Sequence, residues 1–182
     1  MISSFCKILT QWYLQNKRTL PWRNTSDPYK IWLSEIILQQ TKVSQGLPYY
    51  LKFISEFPNI ESLAKANEEK VLKLWQGLGY YSRARNLHAA SKMVINDFGG
   101  IFPKTHNELI KLKGVGVYTA SAVASFANNE VVPVLDGNVY RVLSRLFGIE
   151  TPINDKNAEK EFLKLASNFC LLYTSPSPRD RG

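Results

Sequence analysis

The chain's 182 residues, 45% hydrophobic and 21% charged, suffice for one sizeable or two small globular domains with a true apolar core. No apolar run nears the ~18 residues of a membrane span, no signal-peptide pattern opens the chain, and two cysteines, Cys6 and Cys170, exclude a secreted disulfide framework, so the cytoplasm is the expected compartment. A formal net charge of +8 favours a polyanionic partner without choosing among DNA, RNA and an anionic membrane.

Helical periodicity dominates from the start. Ile8, Leu9, Trp12 and Tyr13 recur at helical spacing, then Ile31, Trp32, Ile36 and Ile37, then Leu47, Tyr50, Leu51 and Ile54. Further helices are predicted over 68–76, 80–97, 106–112, 116–127, 137–147 and 155–169, with breakers at the joints: Pro21, Pro28, Pro58, Gly77, Gly99, Gly100, Pro103, Gly114, Pro133 and Gly148. The one strand-like run, Val131 to Leu135, is interrupted by Pro133 and reads as an extended connector. An all-α protein of nine or ten helices results. Leu171 to Gly182, with two prolines and no periodicity, reads as a disordered or foreign tail. Its two arginines and one aspartate account for only one unit of the net charge, so the basic character belongs to the rest of the chain.

Between two of these helices lies Leu112-Lys113-Gly114-Val115-Gly116-Val117-Tyr118-Thr119-Ala120. Paired glycines permit a tight turn and a close approach to another molecule. The helix that follows offers backbone N–H groups and a positive dipole end to an anion. By itself such a turn is equally a plain helix–helix connection.

The hairpin does not stand alone. It is followed by Val134-Leu135-Asp136-Gly137-Asn138-Val139 with Arg141, Val142 and Leu143. It is preceded by Leu20-Pro21-Trp22-Arg23, by Trp32-Leu33-Ser34-Glu35-Ile36-Ile37-Leu38-Gln39-Gln40-Thr41, and by Gly77-Leu78-Gly79-Tyr80-Tyr81-Ser82-Arg83-Ala84-Arg85-Asn86-Leu87. In this order the motifs resemble the helix-hairpin-helix DNA glycosylase superfamily and, within it, the MutY adenine glycosylases, from about Phe5 to Phe169. The resemblance implies a six-helix domain over 25–132, a second helical domain built from 1–24 with 133–170, and a non-native tail over 171–182. It implies hydrolysis of the bond between adenine and deoxyribose where adenine faces 8-oxoguanine or guanine in double-stranded DNA, by a monomer.

Two carboxylates carry the expected chemistry. Glu35 shares a predicted helix face with Gln39 and Lys42, which is either a solvated face or the wall of a pocket. In a desolvated pocket a carboxyl holds its proton near neutrality and can deliver it to a leaving base. Asp136, ahead of Gly137, reads as a helix N-cap, where backbone N–H groups keep a carboxylate ionised. The resemblance assigns Glu35 as the acid and Asp136 as the anion beside the developing sugar cation, with Asn138 orienting the site. That division of labour echoes glycoside hydrolysis.

The resemblance also places Tyr118 where strand-cleaving relatives of the endonuclease III type carry a nucleophilic lysine, and Tyr140 where some MutY proteins carry one. Both point to a monofunctional enzyme. Gln40 and Tyr80 match residues that insert into the duplex as the base is flipped out, though alone they read as a surface amide and a core aromatic. Trp22 and Arg23 match the base pocket. Arg83, Arg85 and Lys113, with Gly114, Val115 and Gly116 of the hairpin, are candidate DNA contacts, unless the charged ones are merely solvated. His88 and His106 are expected to be structural or surface residues.

The family's [4Fe–4S] cluster needs four cysteines, so this chain as given holds no metal site, and its family-like pattern stops after Phe169, as in a truncated member. Two other readings remain open: an endonuclease III-like pyrimidine glycosylase, and a helix-hairpin-helix DNA-binding module without chemistry.

Overall fold

The computed structural model describes residues 2–155 and 157–171, and these form ten α-helices and one 3-10 turn, with no strand among them. The 11 residues from 172 on, the bulk of the expected tail, lie outside the described residues, while Leu171 closes the last helix.

Helix α1 spans Ile2–Asn16, and the 3-10 turn Pro21–Arg23 leads into α2, Pro28–Ile37. Pro28 opens α2 with its fixed φ, and the Asp27 carboxylate caps it by accepting from the Tyr29 N–H at 3.0 Å. Ile31, Trp32, Leu33, Ser34, Ile36 and Ile37 are all buried, so α2 is apolar nearly all round and must run through the core. Around it lie α3 (Val43–Glu56), α4 (Ile60–Lys65), α5 (Glu68–Trp75) and α6 (Ser82–Asp97). Asn59 and Asn67 cap α4 and α5. Ring pairs such as Trp32 with Phe102 at 5.4 Å and Phe53 with Trp75 at 5.8 Å fill the interior.

Helix α7 is a single turn, His106–Leu109, opened by a reciprocal Thr105–Glu108 capping box. The hairpin follows, and then α8, Val117–Asn128, whose run Ala120-Ser121-Ala122-Val123-Ala124 is buried. These small side chains let α8 lie close against α2. Gly114 takes φ +77°, as the turn requires. His88 is buried in α6, and the main-chain N–H of His106 donates to the Glu130 carboxylate at 2.7 Å.

Beyond the irregular segment 129–136, α9 (Gly137–Phe147) and α10 (Ala158–Leu171) pair through Tyr140 and Phe162, edge-on at 4.7 Å. Two apolar clusters result. The larger runs from Leu20 to Ala124, and the smaller holds Leu143, Ala158, Phe162 and Ala166. Phe5 of α1 meets Phe169 at 5.8 Å, which joins the N-terminal helix to the smaller cluster.

Several elements differ from those the periodicity predicts: α4 has no predicted counterpart, and α7 stops at Leu109 short of the expected 112. Helix α2 ends at Ile37, so Gln39 and Lys42 do not continue the Glu35 face: Gln40 adopts φ 52°, incompatible with a right-handed helix. Helix α6 starts at Ser82 because Tyr80 adopts φ 46°. Helix α10 starts at Ala158, after a turn in which the Asp155 N–H donates to the Pro152 carbonyl.

Candidate active site

Helices α2 and α8, packed against each other, bring distant parts of the sequence to one place. A cavity of about 300 Å³ opens beside them, lined by Trp22, Arg23, Glu35 and Tyr118 together with Arg18 and Gln39. That volume lies in the range of small-molecule sites. Glu35 is the half-buried polar residue in the otherwise buried stretch Ile31–Ile37 of α2, so its carboxyl reaches the cavity without leaving the core's edge. Trp22 is held edge-on against Tyr50 at 5.0 Å. The Arg23 guanidinium lies 5.9 Å from the Tyr13 ring centre, over its face. Tyr118 sits in the first turn of α8, where the hairpin delivers it.

Asp136 lies at a helix start, as its sequence context suggests. One oxygen accepts from the Val139 N–H at 2.8 Å and caps α9; the other accepts from Asn138 Nδ2 at 2.8 Å. Arg141 in turn donates to Asn138 Oδ1 at 3.2 Å, which fixes the amide's orientation. Asp136 is not among the residues lining the cavity, and Asn138 faces a second, apolar cleft shared with Phe5, Cys6, Val142 and Phe169.

The candidate DNA contacts separate into two groups. Gln40 and Tyr80 are exposed, the latter by 66%, and each sits on left-handed backbone. Lys113, Gly114 and Gly116 are exposed on the hairpin, and Arg85 is exposed beside Glu68 at 3.7 Å, a weak surface pair. Val115 points inward and is buried, so only its backbone belongs to the hairpin surface. Arg83 is a correction. Its guanidinium turns into the protein and donates to main-chain carbonyls, including Ile37 at 3.1 Å and Leu78 at 3.2 Å, so both Nη atoms are engaged within the protein.

Of the polar cavity residues Arg18 escaped the sequence reading, and Gln39 entered it only as part of an extended Glu35 helix face. Gln39 donates across to Thr119 at 3.5 Å and so ties α2 to α8. It adjoins Gln40 in the quoted motif, but only the unforeseen end of α2 decides which amide turns inward. Arg18 has no sequence signal beyond its charge.

Among the described residues no group of three or more His, Cys, Asp or Glu is placed to hold a metal ion. Buried Cys6 lines the apolar cleft rather than a thiolate cage, and two cysteines in the chain do not fit a four-thiolate cluster.

Among solved structures, a thermostable thymine-DNA glycosylase matches 94% of this chain and 82% of its own with a TM-score of 0.83 at 29% identity. Endonuclease III in a trapped covalent DNA intermediate matches with a TM-score of 0.74 at 20% identity over 93% of this chain and 80% of its own, a likeness of fold alone. The architecture is that of the helix-hairpin-helix DNA glycosylases. Residues 33–168 match the family model of the HhH-GPD superfamily of base excision DNA repair proteins, and the chain belongs to that family. An adenine DNA glycosylase of Buchnera aphidicola (subspecies Baizongia pistaciae) is 45% identical over 170 residues, 93% of this chain and 48% of that protein. The human adenine DNA glycosylase is 42% identical over 157 residues, 81% of this chain and 29% of its own. The chain thus spans about half the length of the bacterial relatives it matches.

Proposed function

We propose that the protein is a monofunctional adenine DNA glycosylase acting on adenine opposite 8-oxoguanine or guanine. The observation that carries this reading is the Glu35 carboxyl on the wall of a cavity it shares with Trp22, Arg23 and Tyr118, at the start of the hairpin helix. The names of the relatives at 40–45% identity support adenine as the base.

A base extruded into the cavity would stack on Trp22 and present its ring nitrogen to Glu35. Protonation there lets the bond to the sugar break with its electron pair leaving on a neutral purine. The anomeric carbon becomes cationic, the Asp136 carboxylate stabilises it, and water adds in place of the base and gives up a proton to the solvent. Tyr118 supplies no amine for a Schiff base, so the sugar-phosphate strand stays whole. The division into a six-helix domain over 25–132 and a second unit from 1–24 and 133–170, which the two apolar clusters support except that Leu20 and Trp22 belong to the larger one, belongs to the same reading. So do action as a monomer and a cytoplasmic, nucleoid-associated location, with which the lack of any membrane-length apolar helix among the described residues agrees. A [4Fe–4S] cluster, where a longer relative carries one, would need ligands other than Cys6 and Cys170.

A duplex oligonucleotide with adenine opposite 8-oxoguanine, incubated with the protein and then treated with hot alkali, tests the reading. Strand scission only after alkali is expected from the native protein, and none from Glu35→Gln, which keeps its DNA affinity. Scission without alkali would replace the proposal with a lyase. Undiminished release by Glu35→Gln would remove the acid from the mechanism. The match to a thymine-DNA glycosylase at 29% identity favours a second reading, thymine removal, and the same assay with mispaired thymine in the duplex decides between them.

A further inference from the structure

Gln40 and Tyr80, both exposed, stand on backbone in the left-handed region at φ 52° and 46°. Non-glycine residues hold that conformation only where the surroundings over-determine it. A single side chain reaches both turns. Nη1 of Arg83 donates to the carbonyls of Ile37 at 3.1 Å, Ile36 at 3.4 Å and Gln39, and to Thr41 Oγ1 at 3.2 Å. Nη2 donates to the carbonyls of Leu78 at 3.2 Å and Gly79 at 3.5 Å. The guanidinium carbon also lies 5.2 Å from the Trp75 ring centre and 5.6 Å from that of Tyr80. Trp75 Nε1 donates to the Gly79 carbonyl at 2.9 Å and braces the same turn.

We propose that Arg83 is a positioning residue that clamps the Gln40 turn and the Tyr80 turn into one rigid two-pronged unit, registered to the helix end that carries Glu35. The proposal rests on the glycosylase reading for what the prongs do, namely enter the duplex as the base leaves the stack. The planar fork is what the geometry requires: one nitrogen serves each turn, and the rigid plane fixes their separation. The carbonyls of Ile36 and Ile37 belong to the last turn of α2, whose negative dipole end suits a cation. A lysine has one compact ammonium and cannot span the two sets of acceptors in a fixed plane.

The test uses the full chain, with Arg83→Lys as the variant and Lys160→Gln, on the exposed side of α10, as a surface control. In Arg83→Lys, amide exchange in 38–41 and 77–81 is expected to speed up about tenfold, with α4 unchanged. Preference for an A:8-oxoguanine duplex over a fully paired one should fall about tenfold, while affinity for the paired duplex, set by phosphate contacts, stays within about twofold. Lys160→Gln should change neither exchange nor preference. Uniform acceleration across the molecule, acceleration in one turn only, or an unchanged mispair preference with both turns loosened would overturn the proposal. Should Arg83→Lys not fold, Thr41→Val loosens only one acceptor. Faster exchange at 77–81, across the clamp, then supports the coupling, and none there rejects it. A native protein with no mispair preference would defeat the functional reading instead, leaving the exchange data to judge the clamp.

Discussion

In the proposed mechanism Asp136 has two tasks that substitution can separate. As an N-cap it satisfies the Val139 N–H, and as a carboxylate it supplies negative charge. Asparagine keeps the cap and loses the charge. Asp136→Asn is therefore expected to melt within about 0.5 kcal/mol of the native protein, yet to release base orders of magnitude more slowly. Asp136→Ala should lose about 1 kcal/mol of stability as well. Chemical denaturation paired with single-turnover base release checks both; equal rates for the native protein and Asp136→Asn would remove the charge from the mechanism. The capping role was legible in the sequence, because an Asp-Gly ahead of an amphipathic run is a local signal. The inward course of Arg83 was not, since a lone arginine on a polar helix start resembles any solvated cation, and its acceptors come from turns whose shape no local rule dictates.

The hairpin element depends on how closely α6 lies beneath it. A Cβ on Gly114 would stand 2.7 Å from the Asn86 Cβ, and φ there is +77°. Neither backbone nor neighbour can yield easily, because the neighbouring atom is itself anchored to a helix. Gly114→Ala is expected to cost about 1–3 kcal/mol and to displace the hairpin, weakening affinity for fully paired duplex severalfold. Calorimetry and fluorescence-anisotropy titration would measure the two effects, and an unchanged affinity would show that the hairpin does not meet DNA. The sequence announced this element through its paired glycines. It misled at the ends of α2 and α6, where hydrophobic periodicity runs on past residues whose left-handed backbone stops the helix. Tertiary contacts, not propensity, set those ends.

At the level of the molecule the two carboxylates stand on unequal foundations. Glu35 grows from the large cluster, whereas Asp136 caps a helix seated on the small one. Truncating Phe162, fully buried at the centre of the small cluster, should cost about 3–5 kcal/mol. In Phe162→Ala, amide protection should vanish over α9 and α10 while α2 and α8 keep theirs, and base release should fall with it. Simultaneous loss of protection everywhere would mean the clusters unfold as one. The all-helical class and the helix count were readable from periodicity and breakers, because amphipathic patterns are local. The cavity was not, because it exists only where α2 and α8 cross.

The segment 129–136, which joins α8 to α9 without regular structure, is in effect a measuring tape. Extended chain advances about 3.3–3.6 Å per residue, so adding or deleting a single residue there would slide the anion by more than a hydrogen-bond length relative to the acid. Loops elsewhere on the surface can lengthen at little cost, but the spacing of this one sets where Asp136 stands relative to Glu35, on which the proposed mechanism depends.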